Sequence, residues 1–218
     1  MIVERSFRSF DPEELSKGKL YDFLVAAVQP RPIAFVSTIN PQGHPNLAPF
    51  SFYVVGGSNP PSLAFSVTNS GQGHMKDTLR NILQEREFVV NSVHADMAQG
   101  MNATSFAFGY GVSEWDASGF TPVPSELVKP PRVKESRAQF ECRLHEHVPH
   151  GDGPGSANYV IGEIVRIHLA EEVLSGEDII PERLRTLARL GGPNYLDTEE
   201  LRMFALSRPI GPVVPEED

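Results

Sequence analysis

Residues 31–53, RPIAFVSTINPQGHPNLAPFSFY, hold a strand, a tight turn and a returning strand, with room for nothing else. Ile33 to Ile39 carry apolar side chains on both faces, the pattern of a strand covered on two sides. Asn40-Pro41-Gln42-Gly43 puts proline second and glycine fourth, a type I turn. Asn46 to Val55 then return as the partner strand. Strands joined this closely are antiparallel, because parallel neighbours need a crossover of about a dozen residues or more. The returning strand reads Asn46-Leu47-Ala48-Pro49-Phe50-Ser51, an odd composition for a strand meant only to be buried. Pro49 cannot donate to a ladder, so it belongs at an edge or a bulge. Two readings stay open: an edge protected against aggregation, or a rim whose backbone groups meet a planar heterocycle.

The rest of the chain extends the antiparallel theme. LYDFLVAAV fits a helix or a strand by length, and QPRP stops it. GGSNPP turns into a third strand, SLAFSVTN. In MKDTLRNILQE, Leu79, Ile82 and Leu83 fall at helical spacing, with Asp77 as N-cap. REFVVNSV is a strand and ADMAQGMNATSF a short helix. Residues 121–136, with four prolines, read as an extended surface crossing. RAQFECRLHEHV and ANYVIGEIVRIHLAEEVL are long alternating strands, and PERLRTLARL reads as a helix ended by Gly191 and Gly192. No regular strand–helix–strand series appears, which argues against a parallel doubly wound sheet. The expected fold is mainly β, a closed antiparallel barrel with attached helices.

A length of 218 residues fits one domain, with a core over about residues 20–210 and a Pro-rich arm at 207–218. The net charge of −9, with no basic run, argues against nucleic-acid binding. The single cysteine, Cys142, excludes an internal disulfide and reads as an inert core thiol. No apolar run approaches the roughly 20 residues of a membrane span, and MIVERSFRSF has charges where a signal peptide needs an apolar block. The default location is cytoplasmic.

Chemistry concentrates after the third strand. Ser66, Thr68, Lys76 and Thr78, together with a helix start, supply the donors that a phosphate monoester needs. A solvated helix start after a polar loop is the plain alternative. His145, His147 and His150 are followed by no further ligand at useful spacing, so no metal is expected. GYGVSE lacks the third glycine of a dinucleotide fingerprint. Trp115 reads as core packing.

RPIAFVST, NLAPFSFY, NPPSLAFS, KDTLRNI, EFVVN, SEWDASGFTPVPSELVKPPRVKES, FECRL, IGEIVRIHL and ARLGGPNY together resemble the flavin reductase-like, FMN-binding split-barrel family. This is the group of flavoredoxin and of the flavin-reductase components of two-component monooxygenases. The resemblance implies a split β-barrel of Greek-key type, a homodimer, and FMN held noncovalently near the subunit contact. It places Asn46, Leu47, Ala48, Pro49, Phe50, Ser51 and Phe52 along the isoalloxazine, and Ser66, Thr68, Lys76, Asp77 and Thr78 at the phosphate. Arg31 would add neighbouring contacts, and Arg189 and Tyr195 match a family motif. NAD(P)H would be a transient hydride donor, with no dedicated catalytic side chain because the flavin carries the chemistry. An FMN electron carrier reduced by a protein partner, or a non-catalytic barrel module, are the alternatives.

Overall fold

The computed structural model of the protein describes residues 5–106, 108 and 113–198. Its elements begin with α1 (Lys17–Ala27), β1 (Arg31–Pro32), β2 (Ala34–Ile39), β3 (Pro45–Phe50), β4 (Tyr53–Ser58) and β5 (Pro61–Ser66). Then follow α2 (Asp77–Glu85), β6 (Glu87–Asn91), α3 (Ala98–Ala103), α4 (Trp115–Ser118), β7 (Pro122–Val123) and β8 (Arg132–Val133). The long hairpin β9 (Ala138–His150) and β10 (Ala157–Leu169) precedes β11 (Leu174–Ser175), β12 (Asp178–Ile179), α5 (Pro181–Leu184), β13 (Leu187–Arg189) and β14 (Tyr195–Asp197). The tail at 207–218 lies outside the described residues.

Seven strands form one antiparallel sheet in the order β3–β2–β6–β9–β10–β5–β4. β3 and β4 stand at opposite edges, yet only Ser51 and Phe52 separate them in the chain. The three Cα steps from Phe50 to Tyr53 span at most about 11 Å. A flat sheet of this many strands, spaced about 4.8 Å, would hold its edges about 29 Å apart. The sheet must therefore curl until its edges meet, giving a barrel that is split between β3 and β4. The return strand expected from Asn46 to Val55 is thus two strands, because closure forces a bend at Ser51.

The turn at Asn40–Gly43 closes as expected, with Gly43 N–H donating to Asn40 O at 2.9 Å. β3 is an edge strand, and its composition follows from that. Leu47 N–H points away from β2 and donates to Glu114 Oε2 at 3.1 Å, while Ser113 Oγ donates to Pro45 O at 3.0 Å. Strand alternation puts the nitrogens of Pro45 and Pro49 on this same outer side, where they have no N–H to expose. The edge can recruit no further strand.

β2 is covered on both faces, as its sequence implies. Val36 faces a barrel core that includes Phe50, Phe65, Leu79, Ile82, Phe88 and Cys142. Phe35 faces a second cluster with Leu47, Met101, Trp115 and Leu187. α2 plugs the barrel with Leu79 and Ile82, both fully buried. Gly162 on β10 lies beneath the Phe88 ring: a Cβ there would come within 2.4 Å of Phe88 Cζ. Gly162→Ala is accordingly expected to lower stability by about 1–2 kcal/mol through overpacking, read as a reduced midpoint in urea unfolding.

Other expectations need correction or sharpening. LYDFLVAAV is helical up to Ala27, the last residue of α1, with Val28 as its extended C-cap. PERLRTLARL is not one helix: α5 ends at Leu184, Arg185 takes φ 47°, and Leu187–Arg189 becomes β13, paired with β1. Burial of Leu187 and pairing with Arg31–Pro32 outweigh local helix propensity. The crossing at 121–136 carries a short ribbon, β7 against β8, and the buried Glu141 carboxylate accepts the N–H groups of Glu126 and Leu127. Among the described residues no helix is long and apolar enough to cross a membrane.

Candidate functional site

The bend that closes the barrel is held from behind by Arg31. Its guanidinium is buried and donates to Val25 O, to Val28 O at 2.7 Å and to Leu190 O at 2.9 Å. Its Nε reaches Ser51 Oγ at 3.5 Å. One side chain therefore ties the C-terminal end of α1, the loop after β13 and the bend together. Burial, the largest cause, and the nearby Arg189 lower the Arg31 pKa, while Tyr21 acts in the opposite direction.

In front of the bend lies a cleft of about 600 Å³ between α1, the end of β5 and the start of β10. Lys17 and Tyr21 of α1 form one wall, Phe52 and Tyr159 give further aromatic surface, and Ser66 and Thr68 supply hydroxyls. Ser66 is 6% exposed, and its Oγ has no hydrogen-bond partner among the described residues. A buried hydroxyl without a partner costs about 1–3 kcal/mol; one that lines a cleft is poised for a ligand atom. The Tyr21 and Phe52 rings are 6.5 Å apart, at the spacing of aromatic pairs.

The loop that leads into α2 runs beside this cleft: a Cβ on Gly73 would lie 3.4 Å from Pro154, one of its lining residues. Asp77 does not cap the helix: Lys76 occupies the N-cap position without a side-chain cap bond, and Asp77 pairs with Arg80 at 2.8 Å. The first N–H groups of α2 thus receive no side-chain oxygen from the N-cap, and the helix dipole there favours an anion. Lys76 is exposed as a residue, but its ammonium lies 5.7 Å over the Phe50 ring, and burial lowers its pKa. Thr78 is buried and its hydroxyl is already engaged. With its amide oriented to match donors to acceptors, Asn46 accepts from Thr78 Oγ1 at 3.0 Å and donates to Glu114 Oε1 at 3.2 Å. Burial raises the Glu114 pKa, backbone N–H groups lower it less, and Asp77 adds to the rise.

The expected site residues therefore separate into groups. Phe52, Ser66 and Thr68 line the cleft, with Ser51 beside it at the bend. Ala48 and Pro49 are half-buried on the edge strand. The Leu47 and Phe50 side chains turn into the two cores, because alternate residues of β3 face opposite ways, so they offer the cleft no side-chain surface. Asn46 and Thr78 form a strut between β3 and α2. Arg31 faces protein acceptors. Arg189 and Tyr195 lie opposite each other on β13 and β14, the guanidinium 4.4 Å over the ring, one strand away from Arg31. Sequence reading missed Lys17, Tyr21, Tyr159 and Glu114. The signal for the first two was α1 itself, whose only buried residue is Val25.

A second cavity of about 300 Å³ lies at Tyr53, lined by Ile33, Val93 and Leu187 among others, with no cation in its wall. Burial pushes the Tyr53 phenol up to about 12 from 10.0. The folded protein keeps that proton where the unfolded chain has lost it, so stability falls as pH rises from 10 towards about 12. Tyr53→Phe should flatten this part of the stability–pH curve.

Comparison with known proteins bears on the family and the fold. The family described as "Flavin reductase like domain" matches residues 27–184. Nitrilotriacetate monooxygenase component B from Bacillus cereus superposes with a TM-score of 0.87 at 32% identity, covering 93% of this chain and 100% of that one. The 2-nitrobenzoate 2-nitroreductase NbaA of Pseudomonas fluorescens gives 0.84 at 30% identity, covering 94% and 99%. A split-barrel-domain protein of the flavin reductase type from Shewanella frigidimarina gives 0.76 at 25% identity, covering 92% and 100%.

Proposed function

Because the chain belongs to the flavin reductase-like domain family, we propose that it is an FMN-dependent oxidoreductase that passes a hydride from NAD(P)H to flavin. The observation that carries this reading is the cleft itself: aromatic walls at Tyr21 and Phe52, and the partnerless buried hydroxyl of Ser66. These residues fit a flat heterocycle bearing a phosphate. Phe52 and the Ser51 hydroxyl would take the ring, while Ser66, Thr68, the Lys76 ammonium and the first N–H groups of α2 would take the phosphate. Asn46, Thr78 and Glu114 would set the distance between those two ends rather than touch the ligand. When bound, the flavin supplies the two-electron chemistry, which is why the cleft needs no acid–base pair. Tyr21 and Leu24 on α1 would limit the water that reaches the ring, since both line the same cleft.

A second copy of the chain is part of this reading. α1 and its C-cap leave Tyr21, Leu24 and Val28 exposed, and the edge strand β4 exposes Val54 and Val55. An apolar helix face and an unpaired apolar strand edge are the surfaces that a homodimer covers. The resemblance to component B of a two-component monooxygenase extends the proposal to a monooxygenase that accepts the reduced flavin.

Titration of the purified protein with FMN, FAD and riboflavin, followed by the shift of the visible flavin band, tests the ligand. FMN should bind more tightly than riboflavin. NADH and NADPH oxidation with and without added flavin then tests the reaction. Turnover with either nicotinamide supports a reductase. Flavin binding without turnover assigns the protein as a carrier reduced by a protein partner, and no flavin binding leaves a non-catalytic barrel.

A further inference from the structure

We propose that Arg31 is a positioning residue that sets the redox potential of a flavin in the cleft, its charge acting through the Ser51 hydroxyl. This rests on the flavin reading above and adds to it a role for a side chain that does not reach the ligand. Arg31 is 5% exposed, and every hydrogen-bond partner it has among the described residues is neutral: three backbone carbonyls and the Ser51 hydroxyl. A buried cation without a carboxylate is costly. The carbonyls of Val25 and Val28 offset part of that cost, since they belong to the negative end of the α1 dipole. Arg189, in register with Arg31 across β1 and β13, adds a second charge of the same sign. The bend thus has positive charge behind it and the cleft in front of it.

Reduction supplies the anion that this charge lacks. Hydride transfer moves two electrons and one proton from the nicotinamide to the ring. The nicotinamide leaves as its oxidised, positively charged form, and the neutral isoalloxazine becomes an anion with its charge at the carbonyl end. Because Arg31 Nε donates to Ser51 Oγ, the serine hydrogen is free to turn towards that end. Charge that develops beside a preorganised donor backed by a cation is stabilised more than the neutral ring is, so the reduced form gains affinity over the oxidised form.

Equilibrium redox titration of FMN-loaded wild type, Arg31→Gln, Ser51→Ala and the double variant tests this. Each single change should reduce the preference for reduced over oxidised flavin about tenfold, a midpoint lowered by about 30 mV. The double variant should fall no further than the singles, since both changes break one path. Arg31→Lys, which keeps the charge, should recover part of the shift. A midpoint unchanged in Arg31→Gln, or shifts that simply add, would overturn the proposal. If Arg31→Gln does not fold, Ser51→Ala carries the test with the three carbonyl bonds of Arg31 in place, and an unchanged midpoint there overturns it too. A wild type that binds no flavin removes the functional reading along with this one, whereas bound flavin with unaltered midpoints removes this one alone.

Discussion

Arg31→Met is expected to destabilise the folded protein by about 3–5 kcal/mol. Methionine fills much of the volume but leaves the carbonyls of Val25, Val28 and Leu190 without their donor. An acceptor so abandoned costs about 1–3 kcal/mol where it is buried, as at Val25, and less where it is partly buried, as at Val28 and Leu190. Removing a buried charge returns some of this, so the net is smaller than the sum. The loss should be uneven. α1 packs only one buried residue, Val25, and its C-terminal end is fastened by Arg31. Amide exchange should therefore accelerate in α1 before it does in the barrel strands. Urea unfolding gives the total: a lower midpoint with an unchanged slope is the expected result. A midpoint equal to wild type would mean that α1 and the bend are held by other contacts.

That clamp also shows what the sequence could and could not reveal. The hairpin at 31–53 was readable because turn chemistry and period-two patterning are local, and the turn at Asn40–Gly43 closes as its residues require. The bend at Ser51 was not, because nothing near Ser51 says that β4 must reach the far edge of a seven-stranded sheet. Pro49 was expected at an edge or a bulge, and topology places β3 at an edge, a position that suits a protected edge and a ligand-facing rim alike. Glu114 carried no local sign of its role, since the N–H it accepts belongs to Leu47, far away in the chain. Thr78 matched a donor pattern, and only the fold shows its hydroxyl spent on Asn46. Residues 181–190 misled for the opposite reason: their local spacing is helical, and a long-range pairing with β1 overrules it. Ser66 was singled out in the sequence as a hydroxyl at the end of a strand ahead of a helix start, and the fold places it in the cleft wall.

Ser66→Ala should move two measurements in opposite directions. In the free protein the Ser66 hydroxyl is buried without a partner among the described residues, so deleting it removes a penalty. Thermal or urea unfolding of the ligand-free variant should show stability equal to wild type or raised by up to about 1 kcal/mol. In the complex, the same hydroxyl would donate to a charged phosphate oxygen, a bond worth about 1.5–3 kcal/mol. FMN affinity should then fall by about 10–100-fold, while riboflavin, which has no phosphate, should bind the variant and the wild type alike. The sign pattern separates this role from ordinary packing, since a hydroxyl that serves the fold loses stability when removed and leaves FMN affinity unchanged. Equal losses for FMN and riboflavin would move Ser66 from the phosphate to the ring. Unchanged affinity for both would take it out of the site, and the cleft would then have to hold its ligand through Thr68, Lys76 and the start of α2 alone.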